Sequence, residues 1–244
     1  MSAGRTLSVL VAGGSSPSGI AVARALRNAG HTVFTVGSDR ARIEAAAAEA
    51  GDGVVPLVCD LADPAAVQDL HSTLTERAGR VDGVIHLVGG WRGAKGITDQ
   101  SDEDWDFLER NAVTTLRNVS RAFYDDLAAS GTGRFAMVSS TTAAAPTAGA
   151  ASYAAAKAAA EAWTLAVADG FRREQSGHKE HPVEQHSAAA VFVVKALVDD
   201  DMRAAAPERK FPGYTDVTDL AAAVVRLFDT PAGELNGRRL PLSR

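Results

Sequence analysis

Tyr153 and Lys157 lie four residues apart in the Ala-rich stretch Ser152-Tyr153-Ala-Ala-Ala-Lys157. On a helix this spacing projects both side chains from one face. An ammonium beside a phenol favours the phenolate, so Lys157 is expected to draw the tyrosine pKa from about 10 toward neutrality. A phenol so tuned can give or take a proton; the plain alternative is an exposed i,i+4 pair. Ser140 precedes Tyr153 by thirteen residues and follows the apolar run Phe135–Val138. That is the carboxyl edge of a strand, where ligands of open α/β sheets bind. Its hydroxyl suits a carbonyl oxygen and the alkoxide that develops from it, with Ser139 as the competitor for the same task. Asn111 falls within a long helical stretch, where a polar amide could open the hydrogen-bond ladder and hold a water, or simply face solvent.

A second feature sits near the N-terminus, in Ala12-Gly13-Gly14-Ser15-Ser16-Pro17-Ser18-Gly19-Ile20. Glycines between a strand and a helix let backbone approach a pyrophosphate, and the helix N-terminus adds amides and a favourable dipole. A glycine turn alone is weak evidence, but its place directly after the first apolar run strengthens it.

These residues need elements to position them, and the chain supplies an alternation. Leu7–Ala12, Val33–Val36, Val54–Val58 and Val84–Val88 are short runs rich in β-branched residues, bounded by Gly, Asp or Pro. Apolar runs without polar alternation suit strands buried on both faces of a parallel sheet. Ile20–Ala29, Arg40–Ala50 and Ala65–Ala78 read as crossover helices. Asp63-Pro64 marks one N-cap, and Ser101 with Asp104 resembles a capping box for a helix from Asp102 to about Ala129. A strand near Arg134–Val138, a helix Ala151–Arg173, a strand Ala189–Val194, a helix Asp216–Phe228 and a strand Leu235–Leu240 complete the order. Repeated βαβ units predict one α/β domain spanning 1–244, a Rossmann-like, doubly wound parallel sheet with helices on both faces. The polar segment 175–187, with His178, His181, His186 and Pro182, reads as a surface loop rather than a metal site.

With the turn, the ordered set Asn111, Ser140, Tyr153 and Lys157 resembles the short-chain dehydrogenase/reductase family over roughly residues 6–165. The resemblance implies a catalytic tetrad. Tyr153 would be the proton donor in reduction and Lys157 would bind the nicotinamide ribose. Ser140 would orient the carbonyl and Asn111 would support a water relay. It implies hydride transfer between a nicotinamide cofactor and a ketone or secondary alcohol. The cofactor-binding positions it points to are Gly13, Ser15, Ser16, Gly19, Ile20, Ser38, Arg40, Asp60, Leu61, Gly89, Tyr153, Lys157 and Val198. Asp60-Leu61 resembles the family's Asp-Val or Asp-Leu pair beside the adenine. Asp39 could bind the ribose 2′-hydroxyl, but its position also suits a helix N-cap. Ser38 and Arg40 suit a 2′-phosphate, so NADP(H) is favoured, with NAD(H) possible. The resemblance also implies a homodimer or homotetramer through the helices 102–129 and 151–173.

Three places depart from the family pattern. Pro17 stands at the second glycine of the turn and removes an N–H there. His86-Leu87-Val88-Gly89 replaces Asn-Asn-Ala-Gly. Lys195-Ala196-Leu197-Val198 lacks the usual Pro-Gly and threonine, which leaves backbone groups such as those at Val198 to meet a carboxamide. The stretch 199–214, with Met202, Phe211 and Tyr214, reads as a substrate lid, and Trp91 could line the same cleft. These departures also fit a non-catalytic NAD(P)-binding sensor, although such a protein has little need of a tuned phenol.

Composition narrows the classes. With 25 basic and 30 acidic side chains the net charge is −5, a poor basis for nucleic-acid binding. Hydrophobic residues at 46% exclude wholesale disorder. No apolar run approaches the roughly 20 residues of a membrane span, and the single cysteine, Cys59, points to a reducing, cytoplasmic setting.

Overall fold

The computed structural model describes residues 6–176 and 184–242. Its first half follows the βα alternation: β1 (Ser8–Ala12), α1 (Pro17–Asn28), β2 (Thr32–Gly37), α2 (Arg40–Ala50), β3 (Val55–Val58), α3 (Pro64–Ala78) and β4 (Gly83–His86). Next come α4 (Asp102–Glu109), a π-helical turn over Arg110–Thr114, α5 (Thr115–Ala129), β5 (Arg134–Ser140) and α6 (Ala151–Gln175). The remainder is β6 (Ala188–Val194), β7 (Leu197–Val198), α7 (Asp200–Ala205), β8 (Thr215–Asp216), α8 (Val217–Asp229), α9 (Ala232–Leu235) and β9 (Arg238–Pro241).

Seven strands form one sheet in the order β3-β2-β1-β4-β5-β6-β9, and every pairing is parallel. The order reverses between β1 and β4, which opens a crevice beyond their carboxyl ends. Successive strand residues feed opposite layers, as the pleat requires. Leu10 and Ala12 join Val67, Leu116, Phe123 and Phe171 on one side. Val9 and Val11 join Val22, Leu26, Leu220 and Leu227 on the other. Both faces are therefore dry, which explains the unbroken apolar runs. Among the described residues no helix is long and apolar enough to cross a membrane.

Four expectations need correction. The helix expected over 102–129 is interrupted at Arg110–Thr114, where the ladder widens to a π turn. β4 stops at His86 rather than Val88, because Leu87 N–H donates to the last carbonyl of β1, at Ala12, and no further partner follows. The final strand starts at Arg238; Ala232–Leu235 is a short helix, and Gly237, at φ 73°, makes the turn between them. The ends of the expected surface loop 175–187 are buried. Gln175 closes α6, donates to Ala128 O and accepts from His186 N and Ser187 N. His186 Nδ1 meets Ser130 O at 2.6 Å, whereas His178 and His181 lie outside the described residues.

Candidate active site

At the carboxyl ends of β1, β4, β5 and β6 lies a cavity of about 780 Å³. Ser140, Tyr153 and Lys157 stand on one wall, Gly89 and Trp91 on another, and Lys195, Leu197, Arg209 and Tyr214 on the third.

The chemical groups are fixed by the core. Ser140 is the last residue of β5, and its buried hydroxyl donates to Thr142 Oγ1 at 3.0 Å while accepting from Thr142 N–H at 3.1 Å. Its competitor Ser139 is turned toward α6 and donates to Glu161 Oε1 at 2.5 Å. Glu161 in turn pairs with Arg239 at 2.8 Å. Lys157 is buried and donates to Val138 O at 2.9 Å. Gly89 makes room for it, since a Cβ there would lie 3.3 Å from Lys157 Nζ. Burial lowers the Lys157 pKa to about 8, opposed by the charge of Glu161.

Tyr153 behaves differently from expectation. Burial raises its pKa above the ordinary value, with hydrogen bonding to Ser140 pulling the other way. The expected depression by Lys157 is corrected here: the ammonium lies 6.0 Å from the Tyr153 ring centroid and is spent on Val138 O. The phenol is thus protonated at neutral pH, as a proton donor must be.

Asn111 lies in the π turn and is not among the residues that line the cavity. Its Nδ2 donates to Phe107 O at 2.8 Å, and its carbonyl accepts from Thr115 Oγ1 at 2.7 Å. Thr115 Oγ1 meets buried His86 Nε2 at 3.0 Å. Because the Thr115 proton goes to Asn111 O, His86 Nε2 carries the proton of that pair. Burial, then the Lys157 charge, lowers the His86 pKa to about 3, so the ring is neutral. Leu108, Ala112 and Ala156 beside the π turn pack with Tyr153.

The glycine turn closes as the sequence implies. Ser16 caps α1 by accepting from Gly19 N at 3.0 Å, and Pro17 takes the first helical position. Gly13 has φ 84°, and a Cβ on Gly19 would lie 2.4 Å from Gly13 O. Ser15 Oγ would lie 2.7 Å from a Cβ on Gly37. Ile20, half-buried, packs against the α1 layer of the core. Asp39 caps α2 through Arg42 N at 2.9 Å. Ser38 and Arg40 are exposed, with Arg40 pairing to Glu44 at 3.3 Å. Asp60 accepts from Ala62 N and pairs with Arg110 at 2.6 Å, and Leu61 is buried in the core.

The carboxamide position also changes. Val198 is buried and pairs with Asp216, so the cavity wall is made by Ala196 and Leu197 instead. Of the segment 199–214, Arg209 and Tyr214 reach the cavity, while Met202 and Phe211 stand off its wall. Sequence reasoning missed Ser18, Thr142, Lys195 and Arg209 on the wall. Ser18 could have been found from its place inside the turn, and Lys195 from its place directly after a strand end. Arg209 carries no local signal.

The glycine turn at the switch point, bare backbone at Gly89 and the Ser18 end of α1 on the cavity wall fit a dinucleotide whose reactive end would enter the cavity. Among the described residues no group of three His, Cys, Asp or Glu side chains is placed to hold a metal ion.

Residues 8–175 match the sequence profile of the short chain dehydrogenase family. The chain is 25% identical over 235 residues to the 3-oxoacyl-(acyl-carrier-protein) reductase of Vibrio harveyi, covering 95% of this chain and 93% of that protein. It is 27% identical over 150 residues to the NADP-dependent 3-hydroxy acid dehydrogenase of Salmonella typhi, covering 62% and 60%. Its fold is shared with NAD+-bound xylitol dehydrogenase, at TM-score 0.80, 19% identity and 97% of each chain. The 3-ketoacyl-(acyl-carrier-protein) reductase of Brucella melitensis, complexed with NADH, gives 0.81, 20%, and 97% and 96% of the two chains. The chain belongs to the short chain dehydrogenase family, a family of NAD(P)-linked oxidoreductases.

Proposed function

We propose that the protein interconverts a ketone and a secondary alcohol with NADP(H) as the preferred cofactor and Tyr153 as the general acid and base. The observation that carries this reading is the convergence of Ser140, Tyr153 and Lys157 on one cavity wall at the sheet's carboxyl edge. When bound, the nicotinamide supplies or accepts the hydride. The chain's own residues handle the proton. Tyr153, neutral because of its burial, gives its proton to the carbonyl oxygen in reduction and takes it back in oxidation. Ser140 offers that oxygen a second hydrogen bond, which strengthens as charge develops. Lys157 holds its charge beside the wall through Val138 O. We assign Asn111, held in the π turn by its bonds to Phe107 and Thr115, to a proton relay that serves Tyr153.

Gly13, Ser15, Ser16, Gly19 and Ile20 would hold the diphosphate end, Asp60 and Leu61 the adenine, and Gly89 the nicotinamide side. The NADP(H) preference is supported by three facts. Asp39 is spent on the α2 cap, Ser38 and Arg40 are exposed at the end of β2, and one relative is NADP-dependent. We assign the segment 199–214 as the cover of the substrate side. We further assign a homodimer or homotetramer through the helices of 102–129 and 151–173, as the resemblance to the short-chain dehydrogenase/reductase family implies. The lone Cys59 supports a cytoplasmic setting.

The test is NAD(P)H oxidation against a panel of ketones, aldehydes and oxo acids by the wild type and Tyr153→Phe. The reading expects turnover of at least one compound by the wild type and its loss in the variant, with cofactor affinity retained. Full activity in Tyr153→Phe would end the acid–base assignment.

A further inference from the structure

The charge of the cavity runs against the charge of the chain. The protein carries −5 overall, yet the described residues lining the cavity include Lys157, Lys195 and Arg209 and no aspartate or glutamate. Lys157 has its place in the proton chemistry, but Lys195 and Arg209 have none there.

Both belong to the wall on which the sequence departs furthest from its family. Lys195 follows β6 directly, and its Nζ donates to Pro212 O at 3.0 Å. Arg209 donates to the Tyr214 hydroxyl at 3.2 Å. Tyr214 gathers the two cations, with Lys195 Nζ and Arg209 Cζ each 5.9 Å from its ring centroid. The acids of the same segment are engaged elsewhere or exposed away from the wall. Asp199 caps α7 through Met202 N at 2.7 Å, and Asp200 and Asp216 pair with Arg203 at 3.1 and 2.6 Å. Asp201 and Glu208 are exposed and stand off the cavity wall. Each cation spends one donor on its protein partner, and a lysine has three and an arginine five. Two such groups in a partly enclosed cleft raise the local concentration of anions and suit a planar carboxylate.

We propose that Lys195 and Arg209, backed by Tyr214, form an anion clamp for the carboxylate of an oxo-acid or hydroxy-acid substrate, whose carbonyl or hydroxyl end faces Tyr153. This rests on the carbonyl–alcohol reading given above and narrows it. The other source of the same chemistry is the diphosphate of the cofactor.

The test uses the full chain, NADPH and NADH, and a series of oxo acids (pyruvate, acetoacetate, 4-oxopentanoate) beside their methyl esters. Binding is read as saturable quenching of tryptophan fluorescence, since Trp91 stands on the cavity wall, and turnover as NAD(P)H oxidation. At least one acid should bind about tenfold or more tightly than its ester, the margin of one charge-assisted hydrogen bond. Arg209→Gln should remove most of that preference, Arg209→Lys should restore part of it, and cofactor dissociation constants should stay nearly unchanged. Lys195→Gln should act in the same direction, but it also cuts the tie to Pro212, so Arg209 decides. Equal binding of acids and esters, or no saturable binding of any acid, would overturn the clamp. So would variants that loosen NADPH and NADH while leaving the acid-to-ester ratio intact, because the cations would then serve the diphosphate. Saturable acid binding without any NAD(P)H oxidation would keep the clamp and count against the reductase reading. Turnover of ketones and esters with no preference for acids would do the reverse.

Discussion

The two long walls of the cavity are held by opposite means. On the β5–α6 wall, Ser140 and Lys157 are 2% and 7% exposed and are pinned by hydrogen bonds to Thr142 and Val138. On the wall running from Lys195 to Tyr214, the two cations Lys195 and Arg209 are exposed and Tyr214 is half-buried, and the wall hangs from a two-residue strand pairing, helix caps and the Lys195 tie to Pro212. Rigid, buried elements hold a proton donor in place at the cost of desolvating it. An exposed segment can vary its charge without disturbing the core. The difference separates chemistry from recognition in one cavity.

The largest expected effect lies on the buried wall. Lys157→Met should lower kcat by at least about 10²-fold. It should also change the pH dependence of stability. The ammonium has a pKa near 8 in the folded chain against an ordinary 10.5. Between those values the unfolded chain holds a proton that the folded chain has released, so the lysine's contribution to stability rises with pH across that window. The Cys59 thiol, pushed up to about 11 by burial, acts in the opposite direction above pH 9, so the readout is the difference: between pH 8 and pH 10, urea unfolding should show the wild type gaining stability relative to the variant.

Gly19→Val comes next. Its Cβ would lie 2.4 Å from Gly13 O, a backbone atom that cannot swing aside. The expected cost is about 1–3 kcal/mol in chemical denaturation, together with loss of cofactor affinity. Arg209→Gln, on the open wall, should shift the same midpoint by less than about 0.5 kcal/mol. Similar losses at both positions would erase the distinction between the packed elements of the core and the open wall.

A smaller effect concerns His86. Its folded pKa near 3 lies below the ordinary 6.5, so the unfolded chain binds more protons between those values and stability falls as pH drops below 6.5. The slope from this one group is at most about 1.4 kcal/mol per pH unit. His86→Gln, compared with the wild type at pH 7 and pH 5, should be less sensitive to acid by up to about 2 kcal/mol over that interval.

What the sequence made legible was local. The Tyr153–Lys157 spacing, Ser140 at a strand end and the Asp39 cap each depend on neighbours a few residues away, and each stands where the pattern placed it. What it hid depends on distant partners. The π turn at Arg110–Thr114 follows from hydrogen bonds among Phe107, Asn111, Thr115 and His86. The raised Tyr153 pKa follows from burial beneath elements far along the chain, which spacing alone cannot weigh against one nearby ammonium. Arg209 reaches the cavity only because β7 and β8 bring the 199–214 segment back across it.

The most direct test of the account is a fluorescence titration of the purified chain with NADPH and NADH side by side. The account predicts saturable binding of both, tighter for NADPH, with Arg40→Ala weakening NADPH more than NADH. Tighter binding of NADH would return Asp39 from helix cap to ribose ligand and reverse the cofactor preference. Binding of neither nucleotide would contradict the central claim that this cavity is a nicotinamide-linked active site.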